Sequence, residues 1–104
     1  MKHRAFKMKL KPGCAAEYQR RHDEIWPELA ALLRTHGISD YSIFLDQESL
    51  TLFAVHKLDE AIPQTALAQD PVMRRWWDYM ADIMETNPDH SPVATDLPQV
   101  FYLA

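Results

Sequence analysis

Tyr18 and His22 stand four residues apart in the run Ala15-Ala16-Glu17-Tyr18-Gln19-Arg20-Arg21-His22, where i and i+4 side chains share one face of a helix. The same face continues through Ile25, Leu29, Leu32 and Leu33, all apolar. A phenol and an imidazole therefore occupy positions where hydrocarbon is expected. Imidazole ordinarily titrates near pH ~6.5, so it can give or take a proton close to neutrality. General acid–base catalysis is the chemistry such a pair can do. The plain alternative is a core histidine held by a hydrogen bond.

A second unusual pair is Trp76-Trp77, within Val72-Met73-Arg74-Arg75-Trp76-Trp77-Asp78-Tyr79-Met80. Neighbouring residues on a helix point about 100° apart, so both indoles cannot sit at the centre of one narrow stripe. The stripe here is Met73, Trp76, Trp77, Met80, Ile83 and Met84. At its edge an indole offers a flat apolar face and one N–H donor, which suits the mixed C–H and hydroxyl surface of a sugar. Ordinary core packing explains the same residues equally well.

Other chemistries find little support. His3, His22, His36, His56 and His90 show no paired metal-ligand spacing, and Cys14 is the one cysteine. Cys14 shares the face of Tyr18 and His22 but lies eight residues before the histidine. That is roughly 12 Å along a helix, too far for a thiolate–imidazole pair. With two glycines, the chain has no phosphate-cradling loop. The expected ligand is small and neutral, with no cofactor and no metal.

These residues need a scaffold, and the elements that build it follow from periodicity. Residues 2–11 alternate Phe6, Met8 and Leu10 against Lys7, Lys9 and Lys11, a strand pattern stopped by Pro12-Gly13. A helix is expected over residues 14–35, kinked at Pro27 and closed near Gly37. Strands follow at 39–45 and 50–58 around a hairpin turn at 46–49. Asp59 is expected to cap a short helix, and Asp70-Pro71 to open another running to about Met84. A proline-rich irregular stretch over 87–98 then precedes a last strand at 99–103.

The order βαββαβ predicts an α+β, ferredoxin-like fold, a four-stranded antiparallel sheet with helices on one face. Both faces of the middle strands are apolar: Ile43 and Leu45 against Phe44, and Leu50 and Leu52 against Phe53 and Val55. A bare sheet face should be polar, so an identical subunit is expected to cover it, giving a homodimer. The remaining expectations are set by composition. The 104 residues suffice for one domain, and 11 basic against 15 acidic residues (net −4) form no stripe suited to nucleic acid. No apolar run approaches the ~20 residues that span a bilayer. One cysteine excludes an intrachain disulfide and fits a reducing compartment, so the cytoplasm is expected.

From end to end the chain resembles the L-rhamnose mutarotases, small proteins of the dimeric α/β-barrel type. The residues that carry the resemblance are Glu17-Tyr18-Gln19-Arg20-Arg21-His22, Ile25-Trp26-Pro27-Glu28-Leu29, Tyr41, and Arg75-Trp76-Trp77 followed by Tyr79-Met80. Asn87-Pro88-Asp89-His90-Ser91-Pro92-Val93 and Val100-Phe101-Tyr102-Leu103 complete the set. His90 stands where asparagine often occurs. The resemblance implies that His22 is the proton donor and that Tyr18, Tyr41, Trp76 and Trp77 contact the sugar, L-rhamnose. It implies no cofactor. Two rivals remain at this level: a cofactor-independent oxygenase of the same fold type, and a non-enzymatic small-ligand-binding module.

Overall fold

The alternating N-terminal segment forms strand β1 (Lys2–Lys9) in the computed structural model, which describes residues 2–104. Pro12 and Gly13 end it in a tight turn, where Gly13 takes the left-handed φ of +78° that other residues resist. Helices α1 (Ala15–Asp23) and α2 (Pro27–Thr35) follow, then strands β2 (Ile38–Asp46) and β3 (Thr51–Leu58). The chain continues through α3 (Thr65–Gln69), α4 (Pro71–Met80) and β4 (Thr95–Leu97).

The four strands make one antiparallel sheet in the order β2-β3-β1-β4, as the α+β expectation requires. The register places Met8 opposite Leu52, and Leu52 opposite Leu45. Met8, Leu10, Leu52 and Ala54 form the buried sheet side of the core. Against them pack Tyr18 and Leu29 from the first two helices, and Met73, Trp76 and Met80 from α4. Leu10, Leu29 and Leu52 are almost completely buried, each worth roughly 1.5–3 kcal/mol of transfer free energy.

Four expectations need correction. The single kinked helix over 14–35 is two helices. Trp26 adopts an extended backbone (φ −60°, ψ 129°) as the N-cap, and Pro27 is the first residue of α2. A residue before proline avoids the helical region, and proline's fixed φ suits a helix start, so a break costs less than a kink. Asp59 caps no helix: its carboxylate accepts the Ala61 N–H at 3.0 Å in a local turn, and α3 begins later, after Gln64. Helix α4 ends at Met80 rather than Met84, because Met84 forms a bridge with Leu10 beside the sheet.

The fourth correction concerns the last strand. Residues 99–103 join no strand among the described residues, and Val100, Phe101 and Leu103 are largely exposed. The fourth strand is Thr95–Leu97, inside the stretch expected to be irregular; it pairs Ala5, Phe6 and Lys7 with Leu97, Asp96 and Thr95. Other expectations hold. Gly37 closes α2 with φ +79°, and a Cβ there would lie 2.8 Å from the Asp59 Cβ. Asp70 caps α4 by accepting the Val72 N–H at 2.9 Å, with Pro71 as first helical residue. Separately, among the described residues no helix is long and apolar enough to cross a membrane.

Candidate active site

Helix α1 is short, and its last turn carries the candidate acid. Tyr18 is buried, and the His22 ring stacks on the Tyr18 ring with centroids 4.3 Å apart and planes 30° apart. The i,i+4 spacing enforces that stack. His22 Nδ1 lies 3.0 Å from the Tyr18 backbone carbonyl. A carbonyl can only accept, so Nδ1 carries the proton and Nε2 presents its lone pair when the ring is neutral. Among the described residues Nε2 has no protein partner and is not buried beyond reach of solvent. Burial lowers the His22 pKa from its ordinary 6.5, only partly opposed by the bond to Tyr18.

Helix α4 brings the second component. Trp76 is buried, and its indole meets the His22 ring edge-on at 5.4 Å and 90°. Trp26, at the junction of α1 and α2, meets Trp76 edge-on at 5.1 Å and stacks on Tyr79 at 5.6 Å. These edge-to-face arrangements satisfy the ring quadrupoles and fix the orientation of Trp76.

Strand β2 supplies the third side. Ser39 pairs with Lys57 and Ser42 with Val55, so Asp40 and Tyr41 together oppose the single residue His56. This bulge, with Asp40 at φ +48°, turns Tyr41 onto the helix-bearing side of the sheet. Its ring lies 5.1 Å from the His56 ring and 6.5 Å from that of Phe6. Tyr41 keeps 39% of its surface, yet desolvation pushes its phenol up to about 12. Burial, and secondarily the charge of a nearby Tyr41, push the Tyr18 phenol above its ordinary 10. Both phenols therefore stay protonated at neutral pH and offer O–H donors.

The fold thus unites Tyr18, His22 and Trp76 in direct ring contact and places Tyr41 beside Phe6 and His56 on the helix-bearing side of the sheet. Trp77 is half-buried against the core and makes no ring contact with these four; the Arg74 guanidinium lies 5.8 Å from its ring centre. His90 lies outside the ring cluster, on Asp78, with Nδ1 2.9 Å from Oδ1. Cys14 packs at the edge of the core. Trp26 and His56 are site neighbours that sequence reasoning did not single out. His56 had a signal: it continues the inward alternation of Leu52 and Ala54, so a buried imidazole was written into the strand period. Among the described residues no three His, Cys, Asp or Glu side chains converge as metal ligands.

Neutral phenols, one imidazole with a free nitrogen and an apolar indole wall can exchange a proton with an uncharged, partly apolar ligand. Comparison with known proteins agrees. A family model described as L-rhamnose mutarotase matches residues 3–103. The L-rhamnose mutarotase of Bacteroides thetaiotaomicron is 54% identical over 103 residues, 99% of each chain. That of Acidiphilium cryptum is 60% identical over 99 residues, 95% of each. The crystal structure of L-rhamnose mutarotase from Formosa agariphila superposes with a TM-score of 0.93 at 48% identity, covering 100% of both chains.

Proposed function

The chain belongs to the L-rhamnose mutarotase family and is an isomerase that interconverts the anomers of L-rhamnose; we propose that His22 is its proton donor. In ring opening the O1–H proton leaves, the C1–O5 bond breaks and C1=O1 forms, while O5 gains a proton. Rotation about C1–C2 and reclosure give the other anomer. Net redox change is zero. His22 Nε2–H delivers the O5 proton from the imidazolium form, and the neutral ring takes it back on closure. Nδ1–H stays on the Tyr18 carbonyl throughout.

The observation that carries this reading is the orientation of one ring. The Nδ1 bond and the Tyr18 stack hold His22 so that Nε2 alone is available, beside the edge-on indole of Trp76. Burial makes the imidazolium a stronger acid than free histidine. Tyr18 and Tyr41, with raised pKa values, are poor bases and serve as hydroxyl donors that orient the sugar; the O1 proton leaves to water. Trp76 covers the apolar face of the 6-deoxy sugar, and the role of Trp77 as a second sugar contact rests on the family resemblance alone.

The working unit in this reading is a homodimer in the cytoplasm. Phe44 and Phe53 are directly paired across β2 and β3 on the sheet face away from the helices, and Phe44 is 63% exposed. With Val55 beside them, they form an apolar patch that an identical subunit would cover. The lone thiol of Cys14 fits a reducing compartment. Saturation-transfer NMR on equilibrated L-rhamnose tests the activity. Protein at micromolar concentration should accelerate α/β exchange well above buffer; binding without acceleration would leave a sugar-binding module in place of an enzyme.

A further inference from the structure

Arg21 is the least expected residue in the core. It is next to His22 in sequence, 8% exposed, and plays no part in the proton transfer described above. Its guanidinium is almost fully employed. Nε donates to Glu17 Oε2 at 2.7 Å, and Nη1 to the Tyr79 carbonyl at 2.7 Å. Nη1 and Nη2 grip the two Asp82 carboxylate oxygens at 2.8 and 3.2 Å. The same group lies over the Tyr79 ring, 4.3 Å from its centre.

These contacts link two helices through one planar fork. Glu17 belongs to α1 with Arg21, whereas Tyr79 and Asp82 belong to the end of α4 and the turn after it. The Tyr79 carbonyl is one of the helix-end acceptors that need an outside donor, so the clamp also completes α4. Adjacent helical residues point about 100° apart, so fixing Arg21 against α4 fixes the rotation of α1 about its axis and hence the aim of His22. The Tyr79 ring beneath Arg21 stacks on Trp26 and lies 5.7 Å from Trp76, the indole that faces His22. The clamp and the site share one set of rings.

We infer that Arg21 is a positioning residue for the mutarotase reaction, locking the rotation of α1 against α4 so that His22 Nε2 faces the sugar held against Trp76. The inference rests on the assignment of His22 as proton donor. Lysine keeps the charge but offers a point donor instead of a fork, and cannot hold Glu17, the Tyr79 carbonyl and both Asp82 oxygens together. A misplacement of order 1 Å in a reacting group costs up to ~10²-fold in rate. Arg21→Lys should therefore lower kcat for anomer exchange by roughly 10-fold or more and leave KM much less affected.

A double-mutant cycle with His22→Ala separates positioning from general support of the fold. With His22 gone, the aim of α1 no longer matters, so Arg21→Lys should leave the residual exchange of His22→Ala unchanged. Asp82→Asn, on a carboxylate that is 67% exposed, gives a second variant that does not disturb the core. It should move kcat in the same direction by a smaller factor and couple to His22→Ala in the same way. Wild-type kcat in both variants overturns the inference, as does an equal fold-loss with and without His22. If Arg21→Lys does not fold, the Asp82→Asn cycle decides by the same criteria. Wild-type exchange in His22→Ala alone is a distinct failure: it removes the proton donor itself, and the route through which Arg21 acts with it.

Discussion

The two faces of the sheet are built from the same alternating strands, and each carries residues of the wrong polarity for its surroundings. On the helix-bearing face, among Met8, Leu52 and Ala54, stand the buried imidazole of His56 and the phenol of Tyr41, with Tyr18 of α1 in the same core and His22 stacked on it. On the other face, among Lys7, Lys9 and Thr51, stand Phe44, Phe53 and Val55, all partly open to solvent. Polar groups that intrude into a dry face need partners, and here the His22 ring bonds the Tyr18 carbonyl while the His56 ring lies 3.3 Å from that of Lys57. Apolar groups that intrude into a wet face lower the cost of covering it, and they mark where another surface belongs. The helix-bearing face is proposed for chemistry and the open face for assembly.

Substituting one indole and one phenylalanine measures how different the faces are. Trp76→Ala should cost ~3–5 kcal/mol, lowering the Tm by more than ~10 °C, because it empties a buried, ring-lined site. Phe44→Ala should change the monomer's intrinsic stability far less. Thermal melts followed by circular dichroism distinguish these outcomes, and a Tm for Trp76→Ala near that of the wild type would show that the indole is a mobile wall. The open face is broken by charge. Phe44→Glu combined with Phe53→Glu sets two like charges directly opposite each other, and should convert a dimer to monomer by light scattering. A wild-type protein that is already monomeric at micromolar concentration contradicts the assembly role.

The smallest effect concerns pH. Burial lowers the pKa values of both His22 and His56 below the ordinary 6.5, so the unfolded chain binds protons more readily than the folded one. Stability from these two groups is fully present above about pH 6.5 and is lost as pH falls through the unfolded value toward the lowered folded ones. The Tm should be lower at pH 5.5 than at pH 7.5, and His56→Gln should narrow that gap. Both imidazoles lie on the helix-bearing side, so the effect belongs to that side.

Much of this division is legible in the sequence, through period. Strand alternation places Phe44 and Phe53 opposite Ile43 and Leu52, and helical spacing puts Tyr18 and His22 on one face. Asp70-Pro71 and Gly37 announce helix ends because their chemistry is local. What escapes is whatever depends on a partner far along the chain. Thr95–Leu97 has no strand signature of its own; it is a strand because Ala5–Lys7 offers an open edge, while the better-patterned 99–103 finds none. Trp26 reads as one residue of a continuous helix until α4 packs beside it, and Tyr41 reaches the site through a bulge that no periodicity shows. Pro27 is the instructive case. Its signature fits a kink or a start, and only the break at Trp26 distinguishes them.

The claim at the centre of this account is that the one ring lodged against Tyr18 and Trp76 moves the proton. Saturation-transfer NMR of L-rhamnose with His22→Ala tests it most directly. The variant should keep the fold by circular dichroism and lose most of the acceleration, on the order of 10²–10⁴-fold. The acceleration by the wild type should rise as pH falls toward the lowered pKa of His22, since the imidazolium is the donor. A folded His22→Ala protein that exchanges anomers as fast as the wild type would contradict the claim outright.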